Sequence, residues 1–81
     1  MMKVNVLAFG IVREIIGSRQ LVVDVPHDCT AGYLIERLSE MYPELTKLTT
    51  FSISINGAYS MPANNIAVGD EVAIIPPVSG G

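Results

Sequence analysis

Nucleophile, metal and redox chemistry are thinly provided for in this sequence, which has one cysteine, one histidine and no tryptophan. A single cysteine, Cys29, excludes an internal disulfide framework and fits a reducing compartment. Metal ligation needs several spaced Cys or His residues, so no metal site is expected. Basic residues are few and scattered: Lys3, Arg13, Arg19, Arg37 and Lys47, against a formal net charge of −3. A nucleic-acid footprint needs clustered Lys and Arg, so no nucleic-acid partner is expected. A mildly acidic surface suits basic partners or simply solubility. No apolar run approaches the length that spans a bilayer, and Met1-Met2-Lys3-Val4-Asn5 does not open a signal peptide. The expectation is a soluble cytoplasmic protein without membrane contact.

What is present is apolar material in short, patterned pieces. At 81 residues and 49% hydrophobic, the chain has the content for one small core and the length for one domain. Residues 3–9 alternate as a strand, with Val4, Val6 and Ala8 on one face and Asn5, Leu7 and Phe9 on the other. A helical turn at Arg13–Ile16 stops at Gly17, and residues 21–25 form a second strand, close enough to pair antiparallel with the first. The clearest helix covers about residues 31–42, capped by Thr30 or Asp28. Leu34, Leu38 and Met41 form its apolar stripe, widened by Ile35 and Tyr42, until Pro43 ends it. Residues 51–55 alternate with Phe51, Ile53 and Ile55 on one face, and Asn56-Gly57 turns the chain into a short strand at 58–60. After a polar loop, Gly69-Asp70 leads into a last strand, 71–75, which Pro76-Pro77 stops.

One helix covering one face of a mixed sheet is a two-layer α+β arrangement, of which the β-grasp (ubiquitin-like) topology is the common small version. Residues 1–75 are expected to form that single domain and residues 76–81 an extended C-terminal tail.

Catalytic constellations are not assembled by this sequence. His27 lies two residues from Cys29, so a Cys-His dyad is conceivable. The plainer reading is a surface histidine beside a semi-buried cysteine at the helix start. Asp70 and Glu71 are adjacent, but strand neighbours point to opposite faces, so they serve better as turn residue and strand start than as an acid/base pair. Gly10 and Gly17 are isolated, and no helix follows Gly80-Gly81, so no phosphate loop is expected.

The tail has chemistry of its own. Pro76-Pro77 favour an extended path and remove two backbone donors. From Pro76 to Gly81 the chain reaches roughly 20 Å at about 3.3 Å per residue. Val78 offers one apolar anchor; Ser79, Gly80 and Gly81 then narrow to a terminus without side chains, which fits a channel that would reject any Cβ. The group so delivered is the Gly81 carboxylate. It is inert at neutral pH until another protein activates it, for example as an acyl-adenylate. The functional atoms are thus a carried substrate rather than a catalytic set. If Val4, Val6, Val72 and Ile74 face the helix, then Leu7, Phe9, Ala73 and Ile75 face away from it. In a β-grasp sheet, where the first and last strands are neighbours, these residues make an exposed apolar patch at the root of the tail that suits a partner.

The run Asp70-Glu71-Val72-Ala73-Ile74-Ile75-Pro76-Pro77-Val78-Ser79-Gly80-Gly81 resembles the C-terminus of the small, sulfur-carrying subunits of molybdopterin synthase. The segment Phe9-Gly10-Ile11-Val12-Arg13-Glu14, followed by Gly17, resembles their stretch after the first strand. Gly10, where that family more often has alanine, is expected to carry little consequence. The resemblance implies that an ATP-dependent activating enzyme adenylates the Gly81 carboxylate and that a sulfur donor converts it to a thiocarboxylate. The tail (Pro76, Pro77, Val78, Ser79, Gly80) then inserts into a large synthase subunit, where sulfur passes to a cyclic pyranopterin precursor in molybdenum cofactor biosynthesis. It implies a non-catalytic subunit without a permanent cofactor in a heterotetramer of two small and two large subunits, whose large subunit supplies the catalytic basic residues; the patch of Leu7, Phe9 and Ile75 is the expected docking surface. A Gly-Gly end is shared with carriers for thiamine, cysteine or tRNA thiolation and with ubiquitin-like modifiers, which stand as the alternatives.

Overall fold

Alternation along the first strand decides which way the sheet faces. In the computed structural model, which describes residues 1–48 and 51–76, β1 (Met2–Ala8) turns Met2, Val4, Val6 and Ala8 into the core and leaves Asn5 and Leu7 on the other side. β5 (Glu71–Ile75) does the same with Val72 and Ile74, both fully buried. β2 (Gln20–Val25), β3 (Ser52–Ile55) and β4 (Ala58–Tyr59) complete a mixed sheet in the order β2-β1-β5-β3-β4. β1 and β5 run parallel, with Leu7 opposite Ala73, and every other pairing is antiparallel. Asn56 and Gly57 both adopt positive φ, at 53° and 84°, which is the turn geometry that lets β3 double back into β4.

α2 (Ala31–Met41) covers the inner face, with Ala31, Leu34 and Leu38 at most 1% exposed. Thr30 is its cap: the Tyr33 N–H donates to Thr30 Oγ1 at 3.1 Å. Asp28 instead sits in the preceding turn at φ 63°. The next two free donors of the helix are met by the loop that returns from β4. Ala31 N–H donates to the Asn64 carbonyl and Gly32 N–H to the Pro62 carbonyl, each at 2.9 Å. That strap also drives Ile66 into the core at 1% exposure. The sheet and single main helix are the α+β, β-grasp arrangement.

Three details differ from the sequence expectation. Met41 is 40% exposed and leaves the stripe, because Pro43 starts a 3-10 turn (Pro43–Lys47) that swings Leu45, 1% exposed, into the space at the helix end. The short helical turn is a seven-residue helix, α1 (Gly10–Ile16), anchored by the fully buried Val12 and closed by Gly17 at φ 83°. Cys29 is buried rather than semi-buried, at 7% exposure. Burial of a leucine such as Leu34 contributes about 1.5–3 kcal/mol, a large share of the roughly 5–15 kcal/mol a small domain has in total. Among the described residues no helix is long and apolar enough to cross a membrane.

Candidate functional site

The outer face of the sheet carries a row of residues that crosses all five strands. Gln20 stands opposite Leu7, Leu7 opposite Ala73, Ala73 opposite Ser54, and Ser54 opposite Tyr59. Directly opposed residues share a face, so this row looks away from α2. One step toward the C-terminal end of β1 and β5, Phe9 and Ile75 continue it. Leu7, Phe9, Ala73, Ile75 and Tyr59 line one open groove of about 350 Å³. Phe9 is 49% exposed and Tyr59 77%. Leu7, Phe9, Ala73 and Ile75 were expected together from the sequence; the register pairs Leu7 with Ala73, and all four line the same groove. Tyr59 was not singled out; its place follows from the Asn56-Gly57 turn, which sets it across from Ser54.

A second groove, about 580 Å³, adjoins the first through Leu7 and Phe9 and adds Arg13, Ser18, Arg19 and Gln20. Two of the five basic side chains therefore meet at the same end of the sheet. Lys3 is paired with Asp24 at 3.1 Å and Arg37 with Glu40 at 3.9 Å, whereas Arg13 and Arg19 make no ion pair among the described residues. In the sequence the five cations look scattered. The convergence comes from α1 and the turn after Gly17, where Ala8 N–H donates to the Arg19 carbonyl at 2.9 Å and brings the two arginines to one groove.

The root of the tail lies at this end. Among the described residues the ladder between β3 and β5 ends at the Ser52–Ile75 pair, and Pro76 has no N–H to donate to it. The other tail residues named from the sequence, Pro77, Val78, Ser79, Gly80 and the carboxylate-bearing Gly81, lie outside the described residues. Pro76 packs near Gly10, which has φ +54° and where a Cβ would come to 3.0 Å from Pro76 Cγ. In this backbone an alanine at position 10 would face both a left-handed conformation and the Pro76 ring.

Elsewhere the titratable groups are structural. The Cys29 side chain lies in the core cluster, and burial pushes its thiol pKa above the ordinary value, which works against a thiolate nucleophile. His27, two residues earlier, is exposed, so the two do not share an environment. Asp70 accepts from Ala67 N–H at 2.8 Å and from Asn56 Nδ2 at 2.9 Å, and these bonds hold its carboxyl below the usual carboxylate range. Glu71 starts β5 and is exposed. Turn residue and strand start are their places.

Known proteins share this construction along its whole length. The chain is 36% identical over 81 residues to the molybdopterin synthase sulfur carrier subunit of Dictyostelium discoideum, covering 95% of this chain and 94% of that one. It is likewise 36% identical to the protein of that name from Mycobacterium tuberculosis, over the full length of both. The crystal structure of small archaeal modifier protein 1 from Haloferax volcanii superposes with a TM-score of 0.84 at 31% identity, covering 98% of this chain and 99% of that one. The ThiS family model matches residues 6–81, from within β1 to the Gly80-Gly81 end. This chain belongs to the ThiS family.

Proposed function

We propose that this protein is the sulfur-carrier subunit of a molybdopterin synthase, with the Gly81 carboxylate as its reacting group. Full-length similarity to two sulfur carrier subunits of that enzyme is the observation that carries the reading. The architecture supports it. β5 ends at Ile75 beside an apolar face, with Pro76 next in the chain. The Cys29 thiol is held in the core with a raised pKa, and Asp70 is taken up by the turn before β5.

The steps follow from the chemistry of a carboxylate. An activating enzyme joins the Gly81 carboxylate to the α-phosphorus of ATP, releasing pyrophosphate. A sulfide-equivalent donor attacks the acyl carbon and displaces AMP, leaving a thiocarboxylate. The tail, Pro76 through Gly80, enters the large synthase subunit, where the thiocarboxylate sulfur attacks a cyclic pyranopterin precursor and water then hydrolyses the resulting acyl–sulfur bond, leaving sulfur on the pterin and returning the carboxylate. The carrier holds no permanent cofactor; ATP is consumed on its partner. Leu7, Phe9 and Ile75 form the docking patch for the large subunit and for the activating enzyme. Residues 1–75 act as the folded platform and 76–81 as the arm. The reading places the protein in the cytoplasm, with the ATP and sulfur donors it needs.

The likeness to small archaeal modifier protein 1 favours one second reading, a modifier joined through Gly81 to amines of other proteins. Intact-mass measurement after incubation with an activating enzyme, ATP and a sulfur source separates the two. Replacement of one terminal oxygen by sulfur supports the carrier. Stable conjugates without sulfur support the modifier. An unchanged mass with every activating enzyme tried sinks both.

A further inference from the structure

β2 stands at one edge of the sheet, and among the described residues β1 is its only strand neighbour. Two observations say which of its backbone groups are in use. Ala8 N–H donates to the Arg19 carbonyl, in the same register that pairs Val6 with Leu21 and Val4 with Val23. Hydrogen-bonded pairs alternate in an antiparallel ladder, so Arg19, Leu21, Val23 and Val25 direct their N–H and C=O groups at β1. Gln20, Val22 and Asp24 direct theirs outward, at the open edge. At Gln20 this is visible, because Ser18 Oγ takes up both groups: it accepts from Gln20 N–H at 3.3 Å and donates to the Gln20 carbonyl at 2.8 Å. Val22 and Asp24 have no such cover among the described residues. Val22, β-branched and in the middle of the edge, is 59% exposed. An open edge of this length is a template for another strand.

We propose that the occupant of this edge is β2 of a second copy of the chain, paired antiparallel about a two-fold axis at Val22. The edge is self-complementary in that register. Val22 meets Val22 of the second copy and Gln20 meets Asp24 of the second copy, so every outward N–H and C=O from Gln20 to Asp24 gains a partner. On the outer face valine lies on valine, and each Gln20 amide lies on an Asp24 carboxylate that already holds Lys3 at 3.1 Å. On the inner face the half-buried Leu21 lies against Val23. Neighbouring registers are worse. A slip by one residue sets outward groups against groups that β1 already holds. A slip by two puts Asp24 opposite Val22 and Gln20 opposite Pro26, which has no N–H; the opposite slip puts Asp24 opposite Ser18, beyond the strand. Charge agrees as well. Arg19 and Gln20 line the larger groove, Arg19 makes no ion pair among the described residues, and Asp24 of the second copy arrives at that wall. The contact uses the same edge of both copies, so it closes as a dimer. One strand pair buries well under the roughly 1,200 Å² of a stable complex, so the dimer is weak, with a Kd of about 0.1–1 mM. It does not depend on the carrier reading.

Sedimentation equilibrium of the full chain up to about 3 mM reads the dimer directly. Val22→Pro removes an N–H that makes no bond within one copy, at an edge position where proline is tolerated, and should raise the Kd at least about tenfold at an unchanged thermal midpoint. Each Gln20–Asp24 pair occurs twice in the dimer. Gln20→Lys should therefore tighten association about three- to tenfold, and Gln20→Glu should loosen it by a similar factor. Val68→Lys, in the loop before β5 and 71% exposed, makes the same charge change away from the edge and should move the Kd by less than about twofold. In a mixture of isotope-labelled and unlabelled chains, filtered NOE spectra should show Leu21 Hα against Val23 Hα, the close pair of this register. A chain that stays monomeric throughout, a dimer indifferent to Val22→Pro, Gln20→Lys and Gln20→Glu acting in the same direction, or a Val23–Val23 contact in place of Leu21–Val23 overturns the proposal.

Discussion

Where β5 begins, polar groups clasp it; where it ends, apolar ones merely flank it. At the start, Asn56 Nδ2 donates to Asp70, Glu71 N–H donates to Asn56 Oδ1 at 2.9 Å, and Asn56 N–H donates to the Glu71 carbonyl at 2.8 Å. Asp70 N–H and the Ala67 carbonyl close the turn. The β3–β4 hairpin and the last strand are thereby tied together. At the other end stand Ile75, Pro76 and the groove with Phe9; among the described residues the β3–β5 pairs end at Ser52–Ile75, and Pro76 has no N–H to donate. One strand is thus clasped by polar side chains at its entry and flanked by apolar groups at its last residues. That suits a platform that must stay folded while it offers its end to another protein. Changes at the two ends should affect different measurements.

Deleting Gly81 is the sharpest way to break this division. Sulfur transfer should vanish, because the reacting carboxylate is shortened out of reach, while the thermal midpoint stays within about 2 °C, since the core residues of the sheet and α2 are all kept. Normal transfer by the shortened chain would remove the carrier reading. Phe9→Asp comes next. A charge in the centre of the apolar groove should weaken binding to the large subunit by about 10-fold or more, as expected for a central aromatic anchor, with little effect on stability at a half-exposed site. Unaltered affinity in titration calorimetry would take Phe9 out of the docking patch.

Much of this was legible in the sequence, for reasons that also mark where legibility ended. A period of two in Val4-Asn5-Val6-Leu7-Ala8 and in Val72-Ala73-Ile74-Ile75 states both faces of the sheet at once, so the outer patch could be named from the residues. Asn56-Gly57 and the Thr30 cap are local chemistry and read correctly. Met41 and Leu45 did not, because which of them fills the end of the core depends on how the chain turns after Pro43. The spacing of Leu38 to Leu45 was the available signal. Gly10 meeting Pro76 and Arg13 meeting Arg19 are products of tertiary folding. The first joins residues far apart in the chain through the parallel β1–β5 pair, and no local pattern encodes it. The tail itself was visible as chemistry in the sequence, but its residues from Pro77 onward lie outside those the structure describes.

At the anchored end, Asn56→Gly keeps the left-handed turn and removes the two side-chain hydrogen bonds. It should cost about 1 kcal/mol or slightly more, which lowers the thermal midpoint by about 4–8 °C, with terminal adenylation unaffected below the new midpoint. Slower adenylation of the folded variant would mean that the two ends of β5 are coupled.

The smallest effect belongs to Asp70, and its sign can be worked out. The folded carboxyl is held below its ordinary value, first by the Ala67 N–H and then by the Asn56 amide. Near neutral pH the folded and unfolded chains both carry the charge, and the stabilisation is fully present. As pH falls through about 4, the ordinary value for aspartate, the unfolded chain takes up a proton first, and folding is progressively disfavoured until the folded carboxyl is protonated too. Asp70→Asn should therefore be less stable than the parent at pH 7 and should converge on it as the pH drops below about 4. Urea unfolding at a series of pH values reads this directly. A gap that stays constant across the series would mean that the clasp at the start of β5 depends on the shape of the Asp70 side chain and not on its charge.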